Sequence, residues 1–183
     1  MCWTLTGQNP HDKRQTGFST VNEVFYRAPD DLSSQVLLVP AFDVLEMQEN
    51  DPPDRKAYVE KVNQAAIEAN EALRQVIAKA YPYRFQLIGL GEVAAYKEKG
   101  YKYFLDLVIM PKQMERVKQA AMVPAYKKFT TANRMYRNGN YQFHYYFYIR
   151  DIQKDNAYVG KKLKGDPEVY RGISRFLRNI AKE

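Results

Sequence analysis

The most informative stretch of this chain for its fold lies at residues 51–82 and reads DPPDRKAYVEKVNQAAIEANEALRQVIAKAYP. Its apolar residues recur at intervals of three and four, the spacing that places side chains on one face of an α-helix. Asp51 is expected to cap this helix, Pro52 to take its first position and Pro82 to end it. A long helix over about 53–80 is therefore predicted, packed on a sheet. Its predicted buried face consists of Tyr58, Val62, Ala65, Ala66, Ala69, Leu73, Val76, Ile77 and Ala80.

Strand-like runs lie on both sides of this helix. A short helix over 92–99, with Gly100 as its C-terminal cap, separates two of them. The order strand, long helix, strand, short helix, strand is typical of an α/β or α+β layer with helices on the sheet. The predicted strands are VLLVPAF (36–42), YRFQLIG (83–89), YKYFLDLVIM (101–110) and YQFHYYFYIR (141–150).

The strand at 141–150 alternates in character, so we expect Tyr145 and Phe147 on an apolar face and Tyr146 and Tyr148 on a more polar one. A turn at 154–156 should close a hairpin behind it. These patterns predict the α/β (α+β) class, with a single mixed sheet of about five strands.

A C-terminal helix is expected over about 167–181, with Asp166 as its cap and Pro167 at its first position. Like the long helix, it should pack on the sheet. Residues 1–17 have no periodicity and are interpreted as a flexible N-terminal tether. Residues 18–183 should form a single domain, in which 111–140 is a basic insertion or loop.

The charge is distributed unevenly along the chain. The net charge is +7, from 28 Lys and Arg against 21 Asp and Glu. Residues 1–110 carry 12 basic and 15 acidic side chains, a net of −3, whereas residues 111–183 carry 16 and 6, a net of +10. Such a basic half suits either an anionic partner or a solvated surface.

Two groups of basic residues are candidates for contacting an anionic partner. The first group is interleaved with aromatic residues, a mixture that can neutralise phosphates and stack bases. The second precedes the predicted C-terminal helix, whose N-terminus could hold a small anion. The candidate contacts are Lys127, Lys128, Arg134 and Arg137 in the first group, and Lys161, Lys162 and Lys164 in the second.

The sequence offers little for catalysis. A single cysteine excludes an internal disulfide framework and a zinc site built from several cysteines. His11 lies in the tether, and His144 lies in a strand, where a structural role is commoner. Acidic residues at 43–51 are expected to solvate a loop, and Asp151 to cap a turn. We therefore predict no catalytic residue, no metal site and no cofactor.

The N-terminal sequence is compatible with either of two cellular compartments. No charged segment followed by an apolar one precedes the domain, so either the protein is cytoplasmic or a signal was removed before this numbering begins. In the second case Cys2, followed by a polar stretch, would be the site of lipid attachment.

Five segments together resemble a small α/β domain shared by several bacterial envelope proteins. These include the curli-secretion channel lipoprotein, the lipoprotein activators of penicillin-binding proteins and the N-terminal domain of the Tol-system propeller protein. The chain departs from that pattern at Asn156, where a hairpin glycine is usual, and at 111–140, which looks like an insertion. The segments are VLLVPAFD (36–43), AYPYRFQLIG (80–89), GYKYFLDLVI (100–109), YFYIRDIQKDNAYVG (146–160) and SRFLRNIAKE (174–183).

The resemblance implies binding and assembly rather than catalysis. We therefore expect a non-enzymatic protein of the bacterial cell envelope, outer-membrane-attached or periplasmic. Its partner would be another envelope protein, a second copy of itself or an anionic surface, engaged by its basic half. The alternative is a cytoplasmic protein that binds nucleic acid through Lys127, Lys128, Arg134 and Arg137.

Overall fold

The computed structural model describes residues 21–111, 143–161 and 163–183. They form one mixed sheet with helices on both faces, which confirms the predicted α/β class. The described strands number six rather than about five, because a short strand near residue 24 adds an edge. The strands are β1 (Val24–Phe25), β2 (Leu37–Pro40), β3 (Phe85–Ile88), β4 (Tyr103–Pro111), β5 (Phe143–Asp151) and β6 (Asn156–Tyr158). The α-helices are α1 (Pro53–Ala80), α2 (Val93–Glu98) and α3 (Val169–Ile180).

The sheet order is β1-β6-β5-β4-β2-β3. β2 lies between β3 and β4 and is parallel to both, whereas β4, β5 and β6 are antiparallel to one another in turn. The 28-residue α1 makes the crossover from β2 to β3, as a parallel pair requires. The C-terminal ends of the three parallel strands therefore meet at one edge of the molecule.

The main core lies between the sheet and the two longer helices. α1 contributes Leu73 and Ile77, and α3 contributes Leu177 and Ile180, to a cluster that includes Phe147 of β5. These side chains are almost fully buried. The predicted packing of both helices on the sheet is therefore confirmed.

The opposite face of the sheet is also covered, which the alternation of β5 did not predict. Tyr146 and Tyr148 were expected on a polar face, but they are 6% and 4% exposed. They pack with Val21, which precedes β1, and with Val24 of β1. A further cluster forms where α2 covers Phe104 of β4. Residues distant in sequence thus turn the polar-looking face of β5 into a second interior.

The bounds of α1 match the predicted range of about 53–80, but the roles predicted for Asp51 and Pro52 are wrong. Pro52 is extended, with φ −59° and ψ 153°, and the helix begins at Pro53. A residue that precedes a proline is disfavoured in the helical region, so the Pro52–Pro53 pair fixes this boundary. Asp51 is not a side-chain cap, because its carboxylate instead accepts the N–H of Gln48 (2.9 Å) and pairs with Arg55 (2.7 Å).

The buried face of α1 also differs from the predicted face in its first half. Tyr58 is 62% exposed, and the neighbouring Val59 is buried in its place. Ala65 is exposed, whereas Leu73, Ile77 and other residues nearer the C-terminus are buried as predicted. The prediction assumed that the sheet runs under the whole helix, but the first half of α1 faces the chain segment that follows β2.

The start of α3 was also predicted wrongly. The helix begins at Val169, with Glu168 as its cap residue, rather than at Pro167. Asp166 lies three residues before the helix begins, and its backbone pairs with Tyr145 of β5 through N–H···O contacts of 2.7 and 3.0 Å. Its buried carboxylate instead binds Arg171 and Arg175, both at 2.9 Å.

Candidate functional site

β2 and β4 separate part-way along their length, and a cavity opens between them. The first two residues of β2 pair with β4, whereas its last two pair only with β3. Ala41 continues on that course, since its N–H donates to the carbonyl oxygen of Ile88 (2.8 Å). Within the described residues, the edge of β4 beyond Phe104 has no strand partner on this side. The gap lies near the carboxyl ends of parallel strands, where α/β proteins commonly bind ligands.

The cavity has a volume of about 300 Å³ and a mainly apolar wall. Leu73 of α1 and Ile173 of α3 line it from the helical side, and Phe147 of β5 also lines it. Its acidic side chains are Asp43, just after β2, and Asp106 of β4.

Asp106 lies where β4 loses its partner. One carboxylate oxygen accepts the N–H of Leu107 (2.8 Å), and the other accepts the hydroxyl of Tyr148 (2.7 Å). The guanidinium of Arg150 is 3.7 Å from that second oxygen. Burial raises the pKa of Asp106, although the two hydrogen bonds partly oppose this. Asp106 thus satisfies a backbone donor of β4 and is one of the residues that line the cavity.

Asp43 stands at the rim of the cavity and is exposed. Its Oδ1 and the Oε2 of Glu92 both lie 3.3 Å from the position that a Cβ atom on Gly89 would take, so at most twice that distance separates them. Glu92 accepts the N–H of Gly89 (2.7 Å). Among the described residues, neither carboxylate is paired with a cationic side chain.

The segment that follows β2, residues 42–49, is unusual for its exposed apolar side chains. Four of the seven large apolar residues that are exposed in the described part of the chain belong to it. Their exposed fractions are 38% for Phe42, 56% for Val44, 43% for Leu45 and 44% for Met47. Exposed apolar side chains gathered in this way are typical of an interaction surface.

Two asparagines hold the 42–49 segment against α1. Asn70 accepts the N–H of Phe42 (2.8 Å) and donates to its carbonyl oxygen (2.9 Å). Asn63, two helical turns earlier, makes the same pair of bonds to Leu45, at 2.7 and 3.0 Å. Lys56, two turns earlier again, donates to the carbonyl oxygen of Glu49 (2.8 Å). The segment therefore runs antiparallel to α1, with its backbone satisfied by polar side chains of one helical face.

The same segment carries three exposed carboxylates at intervals of three residues, those of Asp43, Glu46 and Glu49. None of the three has a hydrogen-bonded or ionic side-chain partner among the described residues. The 42–49 segment thus combines exposed apolar groups with three carboxylates that form no ion pair within the described residues. From the sequence these carboxylates were expected to solvate a loop. The exposed apolar surface of residues 42–49 was not predicted, because VLLVPAF was interpreted as a strand up to Phe42.

Most of the basic residues singled out from the sequence lie outside the described residues, as do the tether at 1–17 and positions 112–140 of the insertion. Lys161 and Lys164 are described and exposed, and the backbone N–H of Lys161 donates to Glu183 (2.8 Å). Contact of these lysines with an anion stays a prediction. The residues that lie outside are Cys2, Lys127, Lys128, Arg134, Arg137 and Lys162.

Of the acidic residues considered from the sequence, Asp151 has the predicted role. It is buried, and its carboxylate accepts the N–H groups of Gln153 (2.9 Å) and Lys154 (3.0 Å) in the hairpin turn. Across the described ranges, no three histidine, cysteine, aspartate or glutamate side chains are grouped so as to hold a metal ion. None of the helices in those ranges combines the length and apolar character of a membrane span.

Comparisons of the chain with protein-family models, with curated proteins and with solved structures find no match. The resemblance to the envelope-protein domain therefore stays a prediction. What defines the site is its own geometry: an apolar cavity with carboxylates at its wall and rim, continuous with an exposed acidic and apolar segment.

Proposed function

We propose that this protein is a non-enzymatic binding protein that recognises a basic and apolar polypeptide segment through residues 42–49. The observation that supports this proposal is the combination of four exposed apolar side chains with three unpaired carboxylates in eight consecutive residues. An apolar surface favours burial against a partner, and uncompensated negative charge selects a cationic one.

The two asparagines strengthen the proposal because they organise the segment before binding. A loop that must become ordered on binding loses affinity to conformational entropy. Here Asn63 and Asn70 each fix the backbone of one residue, through hydrogen bonds to its N–H and its carbonyl oxygen. The 42–49 segment therefore presents its side chains in a defined arrangement, as a recognition surface requires.

A labelled peptide of alternating lysine and leucine is a suitable probe, measured by fluorescence anisotropy against a glutamate–leucine control peptide. The protein as a whole carries +7, so non-specific attraction favours the acidic peptide. Tighter binding of the basic peptide therefore reports a local acidic site. We expect the double variant Glu46→Lys, Glu49→Lys to weaken it by about tenfold or more.

Glu98→Lys is a matched control, because Glu98 is an exposed carboxylate at the end of α2. One such charge reversal away from the 42–49 segment should leave peptide affinity nearly unchanged at moderate salt. The proposal fails if both peptides bind equally, or if Glu98→Lys has the same effect as the double variant. Met47→Gln separates the apolar contribution, since it removes an exposed apolar side chain without changing the charge of the segment.

We further propose, on the sequence alone, that the protein belongs to the bacterial envelope and is anchored through Cys2. The mass of the N-terminal peptide of the protein isolated from its native cells tests this. A diacylglycerol-modified cysteine is expected, and an unmodified N-terminus in the cytosolic fraction would contradict it. This measurement is independent of peptide binding by the 42–49 segment.

A further inference from the structure

We propose that the cavity between β2 and β4 binds a small molecule with an apolar body and a single amine group. This site is distinct from the polypeptide surface, although Phe42 and Asp43 belong to both. The inference concerns the cavity and does not depend on which protein, if any, binds the 42–49 segment.

The cavity has the size and the wall of a small-molecule site. About 300 Å³ is at the lower end of the range for ligand pockets and equals the liquid volume of about ten water molecules. Leu73, Leu107 and Ile173 line it from three different elements. An apolar wall gives water few hydrogen bonds, so an apolar ligand of about ten non-hydrogen atoms would displace water favourably.

The charges at the cavity indicate that the ligand carries a positive charge. Asp106 is already matched, since it accepts two hydrogen bonds and lies 3.7 Å from the guanidinium of Arg150. Asp43 at the rim has no such partner in the described part of the chain, and a second carboxylate, that of Glu92, approaches the same position beside Gly89. A primary ammonium group at the rim would compensate this charge while its hydrocarbon part occupies the cavity.

Octan-1-amine is the probe, with octan-1-ol and octanoate as neutral and anionic matches of the same length. Isothermal titration calorimetry on the full-length protein should give the order amine, alcohol, octanoate, with the amine bound about tenfold more tightly than the alcohol. The methyl resonances of Leu73 and Ile173 should shift on titration, because both side chains line the cavity.

Two variants separate the contributions of charge and volume. Asp43→Asn changes an exposed side chain, so it should fold normally and reduce the preference for the amine over the alcohol, while the carboxylate of Glu92 retains part of it. Leu107→Phe should fill the gap and weaken the amine and the alcohol alike. The double variant Glu46→Lys, Glu49→Lys lies outside the cavity lining and should leave amine binding within about twofold of the wild type.

The inference is overturned if octan-1-amine does not bind or if octanoate binds as tightly as the amine. It is also overturned if Asp43→Asn leaves the preference for the amine over the alcohol unchanged. Binding that moves no methyl resonance of Leu73 or Ile173 also overturns it, even if Leu107→Phe fails to fold. Amine binding without peptide binding would support this inference and contradict the proposed function. Peptide binding without amine binding would support the proposed function and contradict this inference.

Discussion

Asn63 binds both backbone polar groups of Leu45, its N–H and its carbonyl oxygen. The side-chain oxygen accepts the Leu45 N–H at 2.7 Å, and the side-chain nitrogen donates to the Leu45 carbonyl oxygen at 3.0 Å. An amide side chain here replaces a neighbouring β-strand, which would satisfy the same two groups. The relationship explains how an extended segment with exposed apolar side chains stays fixed beyond the edge of the sheet.

Replacing Asn63 should therefore loosen the 42–49 segment without unfolding the domain. In Asn63→Leu, the amide hydrogen of Leu45 should exchange faster with solvent, and the free energy of unfolding should fall by about 1 kcal/mol. Hydrogen exchange by NMR and urea unfolding measure the two effects. Asn179→Ala is the control, because Asn179 is an exposed helical asparagine with no such bonds in the described structure. Unchanged exchange at Leu45 would show that the contact does not order the segment.

The buried carboxylate of Asp166 should make the protein less stable in acid. Burial alone would raise its pKa, but hydrogen bonds from Arg171 and from the Glu168 N–H, with the nearby charge of Arg175, lower it below the usual value. Stabilisation from a group with a lowered folded-state pKa is complete above the unfolded pKa, about 3.9, and is lost as the pH falls through the folded value. Asp166→Asn should lose about 2 kcal/mol of unfolding free energy at neutral pH.

The difference between the wild type and Asp166→Asn should shrink as the pH falls below about 4. Denaturant unfolding at a series of pH values measures it. Asp30→Asn is the comparison, since Asp30 pairs with Arg27 while its side chain is 80% exposed, and exposed pairs contribute little. A difference that stays constant down to the acid limit would exclude a titrating role for Asp166.

The hydrogen bond from Tyr148 should lower the pKa of Asp106, which lines the cavity. Burial raises that pKa, and the hydroxyl hydrogen bond from Tyr148 opposes the rise by stabilising the carboxylate. In Tyr148→Phe the pKa of Asp106 should therefore increase further, which a ¹³C NMR titration of the carboxyl carbon measures. Tyr83→Phe is the matched control, because its hydroxyl bonds the carbonyl oxygen of Ala181 instead. A lower or equal pKa in Tyr148→Phe would contradict this assignment.

Gly172 of α3 lies against Phe147 of β5, and a larger residue should not fit. A Cβ atom on Gly172 would stand 2.7 Å from a ring carbon of Phe147 and 3.1 Å from Cβ of Asp166. Gly172→Ala should therefore destabilise the protein by about 1–3 kcal/mol, despite the better helix propensity of alanine. At Gly91 a Cβ would meet nothing within 4 Å, so Gly91→Ala should be neutral or slightly stabilising. Thermal unfolding of both variants gives the comparison, and a stabilised Gly172→Ala would exclude close packing there.

Local sequence patterns predicted the regular elements well. The range predicted for α1 matches the observed Pro53–Ala80, because prolines stand at both ends and the periodicity persists between them. The predicted turn after β5 and the C-terminal cap of α2 were also confirmed, with Gly100 at φ +84° and Asp155 at φ +56°. Each of these features depends on neighbouring residues, so a short window of sequence contains its cause.

The candidate site could not be predicted in the same way. Its cavity exists because β2 pairs with β4 for two residues and then continues beside β3, and no local pattern records which partner a strand keeps. The exposed apolar residues at 42–47 look like buried strand and loop in the sequence. Only their contact with Asn63 and Asn70, distant in the chain, shows that they remain at the surface.

The class of fold, the length of α1 and the contrast between an acidic range 1–110 and a basic range 111–183 were all predictable from the amino-acid sequence. Hydrophobic periodicity and turn preferences depend on residues that are close in the chain, so these features can be predicted from the sequence. Three features became known only from the three-dimensional structure. They are the covering of both faces of the sheet, the residue at which β2 stops pairing with β4, and the carboxylates that form ion pairs. Burial and charge pairing are set by atoms that meet across the fold, so only the packed molecule could locate the cavity and the segment beside it.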